Sequence, residues 1–149
     1  MIEYDEYKGK ILGLRPTLDN LGSALKLDEA RREIACLEKE SARDDFWSDL
    51  DNSQKVLQKI KQLKNKCGKY DGLVQRYEDM EALCLMAMEE NDESLLPELQ
   101  EEYAAQIAQA EETLSAAEGE LARRIAEGEQ ALAAARRELS SAENTYRTR

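Results

Sequence analysis

Residues 49–90 read DLDNSQKVLQKIKQLKNKCGKYDGLVQRYEDMEALCLMAMEE, and the fold turns on whether they form one element or several. Ser53, Val56, Ile60, Leu63, Cys67, Tyr70, Val74, Tyr77, Glu81, Cys84 and Met88 step by threes and fours, with Met80 and Leu83 filling in beside Glu81. That is the period of one helix face. A single helix of about 40 residues is implied, near 60 Å long at 1.5 Å per residue. Such a helix needs partner helices along most of its length, and Gly68 and Gly72 each cost it about 1 kcal/mol relative to Ala.

Immediately upstream lies Asp44-Asp45-Phe46-Trp47-Ser48-Asp49, which holds the only Phe and the only Trp of the chain. Asp45, Phe46, Trp47 and Ser48 read as a structural hinge whose two aromatics bury against neighbouring helices and fix the angle of the turn. On that reading Trp47→Ala costs about 3–5 kcal/mol. Ser48, with Asp51 three residues on, resembles a capping box with a shorter acid and is the expected N-cap of the long helix.

Two helices precede the hinge. Tyr4, Tyr7, Ile11, Leu14, Leu18, Leu21 and Leu25 mark the first; Pro16 lies inside it and should bend or divide it, and Gly22 weakens its end. Asp28 is the expected N-cap of the second, about 14 residues long, with Ala30, Ile34, Leu37 and Ser41 facing inward. It ends near Ala42-Arg43.

Beyond the long helix, Asn91-Asp92-Glu93-Ser94 forms a turn. Ser94 is the expected cap of a last helix that has Pro97 in its first turn. Its stripe runs Leu96, Leu99, Tyr103, Ile107, Ala110, Leu114, Ala117, Leu121, Ile125, Gly128, Leu132, Ala135, Leu139, Ala142 and Tyr146. The mean step of about 3.57 lies between the straight-helix and coiled-coil periods. The expected fold is therefore all-α: an elongated antiparallel helical bundle or coiled coil of about four helices, the two long ones near 49–90 and 95–145. Past Tyr103 the chain is Ala-rich, and residues after about 125 should overshoot the bundle, either exposed or self-associated.

Charge is unevenly placed. The formal net charge is -11, yet residues 55–69 carry six lysines and no acid, while residues 78–102 carry ten acids and no base. The balance argues against a general or sequence-specific nucleic-acid binder, since phosphate contacts need clustered cations. Lys55, Lys59, Lys66 and Lys69 form a possible basic ridge toward a charged partner, with a solvated helix face as the plainer reading.

Little here suggests a reaction centre. Without histidine the usual base near neutral pH is missing, and Ser-His or Cys-His arrangements are excluded. Acid pairs such as Glu89-Glu90 diverge on a helix, and Asp44, Asp45, Asp49 and Asp51 lack EF-hand spacing. The seven glycines are scattered, with no phosphate-binding loop. Cys36, Cys67 and Cys84 are too far apart for a metal and read as buried structural thiols. Tyr70 and Tyr77 could stack bases but read better as core. No cofactor is expected. With no signal peptide and no apolar run of 18 residues, the expectation is a soluble cytoplasmic protein that does not engage a membrane.

Several pieces together do point to a family: Asn20-Leu21-Gly22, Leu27-Asp28-Glu29-Ala30-Arg31-Arg32-Glu33-Ile34, Leu37-Glu38, Asp45-Phe46-Trp47-Ser48-Asp49, Ser53-Gln54-Lys55-Val56-Leu57 and Met86-Ala87-Met88-Glu89-Glu90. Over about residues 1–105 the chain resembles the N-terminal helical (PCRF) domain of the bacterial peptide chain release factor 2 family. Residues 106–149 then read as an Ala-rich helical extension. The resemblance implies a translation-termination protein whose helical domain lies near the ribosomal stalk base and can face the GTPase release factor. In that family a Ser-Pro-Phe loop reads UGA and UAA and a Gly-Gly-Gln loop serves peptidyl-tRNA hydrolysis, both in later domains; neither tripeptide occurs here. The expectation is a non-catalytic, truncated or divergent relative that keeps the interaction module. The alternative is a structural coiled-coil adaptor forming a homodimer through the C-terminal helix.

Overall fold

The computed structural model describes residues 2–148, and the chain is all-α. Four helices, α1 (Ile2–Ala24), α2 (Leu27–Ser41), α3 (Leu50–Glu90) and α4 (Leu96–Arg147), are joined by short turns that include 3-10 segments at Phe46–Ser48 and Glu93–Leu95. Two compact units are formed, Met1–Leu114 and Ser115–Arg149.

In the first unit α3 is the spine. Antiparallel pairing with α1 is fixed at both ends, by the Cys84 thiol against the Tyr4 carbonyl at 3.8 Å and by the Tyr70 hydroxyl donating to the Leu18 carbonyl at 3.2 Å. α2 also runs antiparallel to α3, with Arg31 on Asp71 at 2.9 Å and Lys64 on Glu38 at 2.5 Å. The start of α4 returns along the C-terminal half of α3: Gln106 donates to the Leu73 carbonyl at 2.9 Å, and Arg76 reaches Gln109 and Glu102. α2 thus covers the N-terminal half of α3, and α1 and α4 cover the other half.

This change of partners alters which residues of α3 are buried. Ser53, Val56, Ile60, Leu63 and Cys67 are the buried set in the first half, but Leu73, Tyr77, Met80, Cys84 and Ala87 are buried in the second. Leu73, Met80 and Ala87 take the places expected of Val74, Glu81 and Met88, which are only half-buried. With Tyr70 bridging the sets, ten steps cover 34 residues; at about 100° per residue the inward face drifts backward by about 200°.

Several local expectations are corrected. α1 is continuous through the exposed Pro16, so only the hydrogen bond to the Leu12 carbonyl is forgone. α2 starts at Leu27 behind Lys26, whose φ of 53° is left-handed and whose side chain makes no cap bond; Asp28 lies inside the first turn. Asp49, not Ser48, caps α3 by accepting from the Asn52 N–H at 3.2 Å, because Ser48 is taken up in the 3-10 turn, where its hydroxyl donates to the Asp45 carbonyl at 2.6 Å. Ser94 is likewise not a cap. Its own N–H donates to the Asp92 carboxylate at 2.9 Å, and those Ser94 hydrogen bonds hold the Asp92 carboxyl below its usual range.

Gly22 has a role beyond weakening a helix end. A Cβ there would lie 2.9 Å from the Tyr70 hydroxyl oxygen and 3.0 Å from its ring carbon. Only glycine lets the Tyr70 phenol reach across α1 to Leu18.

In α4 the buried residues are Leu99, Gln106 and Thr113, a spacing of seven, whereas Leu114 is exposed. The second unit is the helical segment from Ser115 onward. From Leu121 to Thr148 every residue is exposed.

Candidate partner interface

The hinge residues divide sharply by environment. Phe46 is 5% exposed and packs with Val56, Ile60 and Leu37. The Ser53 hydroxyl holds the turn from beneath, within hydrogen-bonding reach of the Phe46 carbonyl at 2.5 Å and the Asp49 carbonyl at 2.8 Å. Trp47, expected as a core anchor, is 60% exposed. Its ring stands edge-on to Phe46, with centroids 5.2 Å apart and planes at 78°. One ring can fill the gap between α2 and α3, and a 3-10 turn sends consecutive side chains about 120° apart, so the second ring faces outward. Asp45 and Ser48 are exposed beside it.

Two large apolar side chains continue from Trp47 onto α3. Leu50 is 64% and Leu57 42% exposed, and, seven residues apart, they lie within about 20° of each other around the helix. Lys61 and Lys64 fall on the same flank. Lys64 is engaged with Glu38. The predicted ridge, Lys55, Lys59, Lys66 and Lys69, spans an arc of about 80° on the opposite flank; Lys55 and Lys69 are exposed, and Lys59 and Lys66 are half-buried. α3 therefore presents an apolar strip on one side of the α2 contact and a basic one on the other. No spacing rule revealed the apolar strip, because Leu50 and Leu57 lie off the inward stripe and Trp47 read as a buried anchor.

The remaining candidates are structural. Tyr77 is buried and Tyr70 is bound to Leu18. Cys67 and Cys84 are buried, but Cys36 is exposed on α2, contrary to expectation; it follows the inward Ile34 by two residues and so points away from α3. Burial pushes the Cys84 thiol up, as it does the Tyr70 phenol. The Tyr4 phenol is raised too, by burial first and then by Asp92 and Glu93, while its hydroxyl donates to the Asp92 carbonyl at 2.5 Å. Among the described residues no cluster of His, Cys, Asp and Glu is arranged to hold a metal, and no helix is long and apolar enough to cross a membrane. A cavity of about 570 Å³ at the α1–α2 junction is lined by opposite charges, Lys26, Arg31 and Arg32 against Asp19, Asp28 and Glu29.

Comparison with known proteins bears on what this surface serves. A peptide chain release factor 2 from Saccharopolyspora erythraea is 37% identical over 89 residues, which are 60% of this chain and 24% of the relative. One from Clostridium perfringens strain SM101 is 32% identical over 105 residues, 70% of this chain and 29% of the relative. One from Chlamydia abortus is 29% identical over 106 residues, with 71% and 28% covered. The chain thus spans about a quarter of the length of these curated relatives. No solved structure matches it. The PCRF domain family matches residues 30–142, from α2 through the hinge and α3 far into α4, and the chain belongs to that family.

Proposed function

We propose that the chain is the helical interaction module of a translation-termination factor of the release factor 2 kind, working in the cytoplasm on the ribosome. Its partners are the stalk base and the GTPase release factor, toward which the two flanks of α3 are directed. The Trp47–Leu50–Leu57 strip supplies apolar contact, and Lys55, Lys59, Lys66 and Lys69 supply attraction to phosphate or to acidic protein. The module binds and positions; codon reading and peptidyl-tRNA hydrolysis are not its work, because it has neither the Ser-Pro-Phe nor the Gly-Gly-Gln tripeptide.

The observation that carries this reading is the exposed Trp47 inside the matched segment. A large indole on a folded surface, flanked by further apolar side chains, is the usual mark of a contact site. Cosedimentation with ribosomes at low salt tests it. Binding should weaken as salt rises, through the lysines, and should fall at least tenfold in Trp47→Ala. Absence of ribosome binding at low salt, or undiminished binding by Trp47→Ala together with Lys55→Glu/Lys59→Glu, would overturn the assignment.

A further inference from the structure

The second unit carries an exposed apolar stripe. Leu121, Ile125, Leu132, Leu139 and Tyr146 are each more than half exposed, and Gly128, Ala135 and Ala142 complete an unbroken repeat of alternating fours and threes from 121 to 146. That is a coiled-coil seam about 39 Å long at 1.5 Å per residue. Large and small residues are segregated along it. Ile125, Leu132, Leu139 and Tyr146 occupy one position of the heptad, and Gly128, Ala135 and Ala142 the other, with Leu121 at its head.

We propose that a second copy of this chain covers the stripe, running antiparallel, with Leu132 of each copy against Ala135 of the other. In that register Ile125 meets Ala142, Gly128 meets Leu139 and Leu121 meets Tyr146. All but the end layers thus pair one large side chain with one small one. Pairing large with small keeps the volume of the inner layers nearly uniform, as close packing requires. A parallel pair would instead alternate Gly-Gly and Ala-Ala layers with Leu-Leu and Ile-Ile layers.

Charge selects the same arrangement. The residues flanking the seam include Glu129 and Arg136, which join no ion pair among the described residues, whereas Arg123 and Arg124 have the intrahelical partners Glu127 and Glu120. In the proposed register Glu129 of each copy lies beside Arg136 of the other, twice over, with no like charges opposed. Sliding the antiparallel pair by one heptad sets Glu129 against Glu129. A parallel pair sets Glu138 against Glu143. Both alternatives oppose like charges at the flank.

The test is the mass of the full chain by sedimentation equilibrium across micromolar to millimolar concentration, with orientation read by disulfide trapping in a Cys36→Ser background. The mass should double with concentration, and the doubling should be lost in Leu132→Glu/Leu139→Glu. Arg136→Glu should weaken it at least tenfold, and adding Glu129→Arg should restore it. An equimolar mixture of Ile125→Cys and Ala142→Cys chains should oxidise to the mixed dimer. A monomer at every concentration would overturn the proposal. So would doubling that survives Leu132→Glu/Leu139→Glu, which would place the contact elsewhere, such as at Trp47; and so would disulfides joining only like variants, which would make the pair parallel. Circular dichroism of each variant confirms that the first unit stays folded, since all the altered positions in 121–146 are exposed.

Discussion

Phe46 and Trp47 are neighbours in the chain and opposites in energy. Phe46 fills the space between α2 and α3, so Phe46→Ala should cost about 3–5 kcal/mol. Trp47→Ala should change stability by less than about 1 kcal/mol, as surface substitutions do. Urea unfolding of the two variants checks both values, and equal costs would contradict the assignment of one ring to core and one to surface. Gly22 gives a second prediction at this scale. Alanine there would gain about 1 kcal/mol of helix propensity but would force the Tyr70 ring away and break its bond to Leu18. The clash costs about 1–3 kcal/mol. Gly22→Ala should therefore be destabilising in thermal unfolding, with the effect much smaller when Tyr70 is already replaced by Ala. The burial of Phe46 was legible in the sequence, whereas the roles of Trp47 and Gly22 were not. Composition singles out an aromatic pair but not which ring turns inward, and a glycine in a helix looks like a weakness until the residue that needs its missing Cβ is known.

Elements were far more legible than contacts. Steps of three and four delimit all four helices, and the turns at 42–49 and 91–95 follow from Asp, Asn and Ser clusters. The stripes predicted for α3 and α4 slipped where a helix has two neighbours rather than one. A repeat read from one face follows hydrophobicity, and it passes over a polar residue that the second neighbour buries. Gln106 is that residue. It is 1% exposed, its amide nitrogen donates to Leu73, and its side-chain oxygen has no hydrogen-bond partner among the described residues. A buried, unanswered oxygen costs about 1–3 kcal/mol, more than a typical hydrogen bond contributes. Gln106→Met should accordingly leave stability unchanged or raise it by about 1–2 kcal/mol in denaturant unfolding. The pairing register of α3 and α4 should become less strictly defined, visible as broadened side-chain resonances near Leu73, since a polar group in a helical seam trades stability for register. A loss above 2 kcal/mol would show that the amide bond outweighs the stranded oxygen.

For the molecule as a whole, family membership rests on the matched segment, while the surfaces proposed to serve a partner emerge only from folding. The predicted lysine ridge shares α3 with an apolar strip that the sequence did not separate from chance. Titration is also a property of the whole unit. Tyr4, Tyr70 and Cys84 are all raised by burial, and they tie α1 to α3 and to the turn before α4. A phenol or thiol with a raised value keeps its proton in the folded state after the unfolded chain has released it. Between the two values the fold binds more protons, so stability falls as pH rises. Unfolding temperature should therefore hold steady toward neutral pH and drop as pH climbs past the ordinary 9.0 of a thiol and 10.0 of a phenol. Tyr4→Phe, monitored by circular dichroism, should show a shallower drop than the parent chain, and an identical alkaline profile would count against the Tyr4 contribution.

The backward drift of the inward face of α3 makes that helix behave as a crankshaft. Its two halves answer to different neighbours at different angles, and the angle between them is set by the number of residues from Cys67 to Leu73. Side chains at Gly68 and Gly72 would meet only open space, so those two positions are free to vary while the length of the segment, and Tyr70 within it, are not. Removing one residue there would turn Leu73, Tyr77 and Met80 by about 100° relative to Val56 and Ile60. It would unseat α1 and α4 without touching a single core side chain. Relatives that keep this arrangement should accept substitutions at Gly68 and Gly72 readily and insertions or deletions between Cys67 and Leu73 almost never.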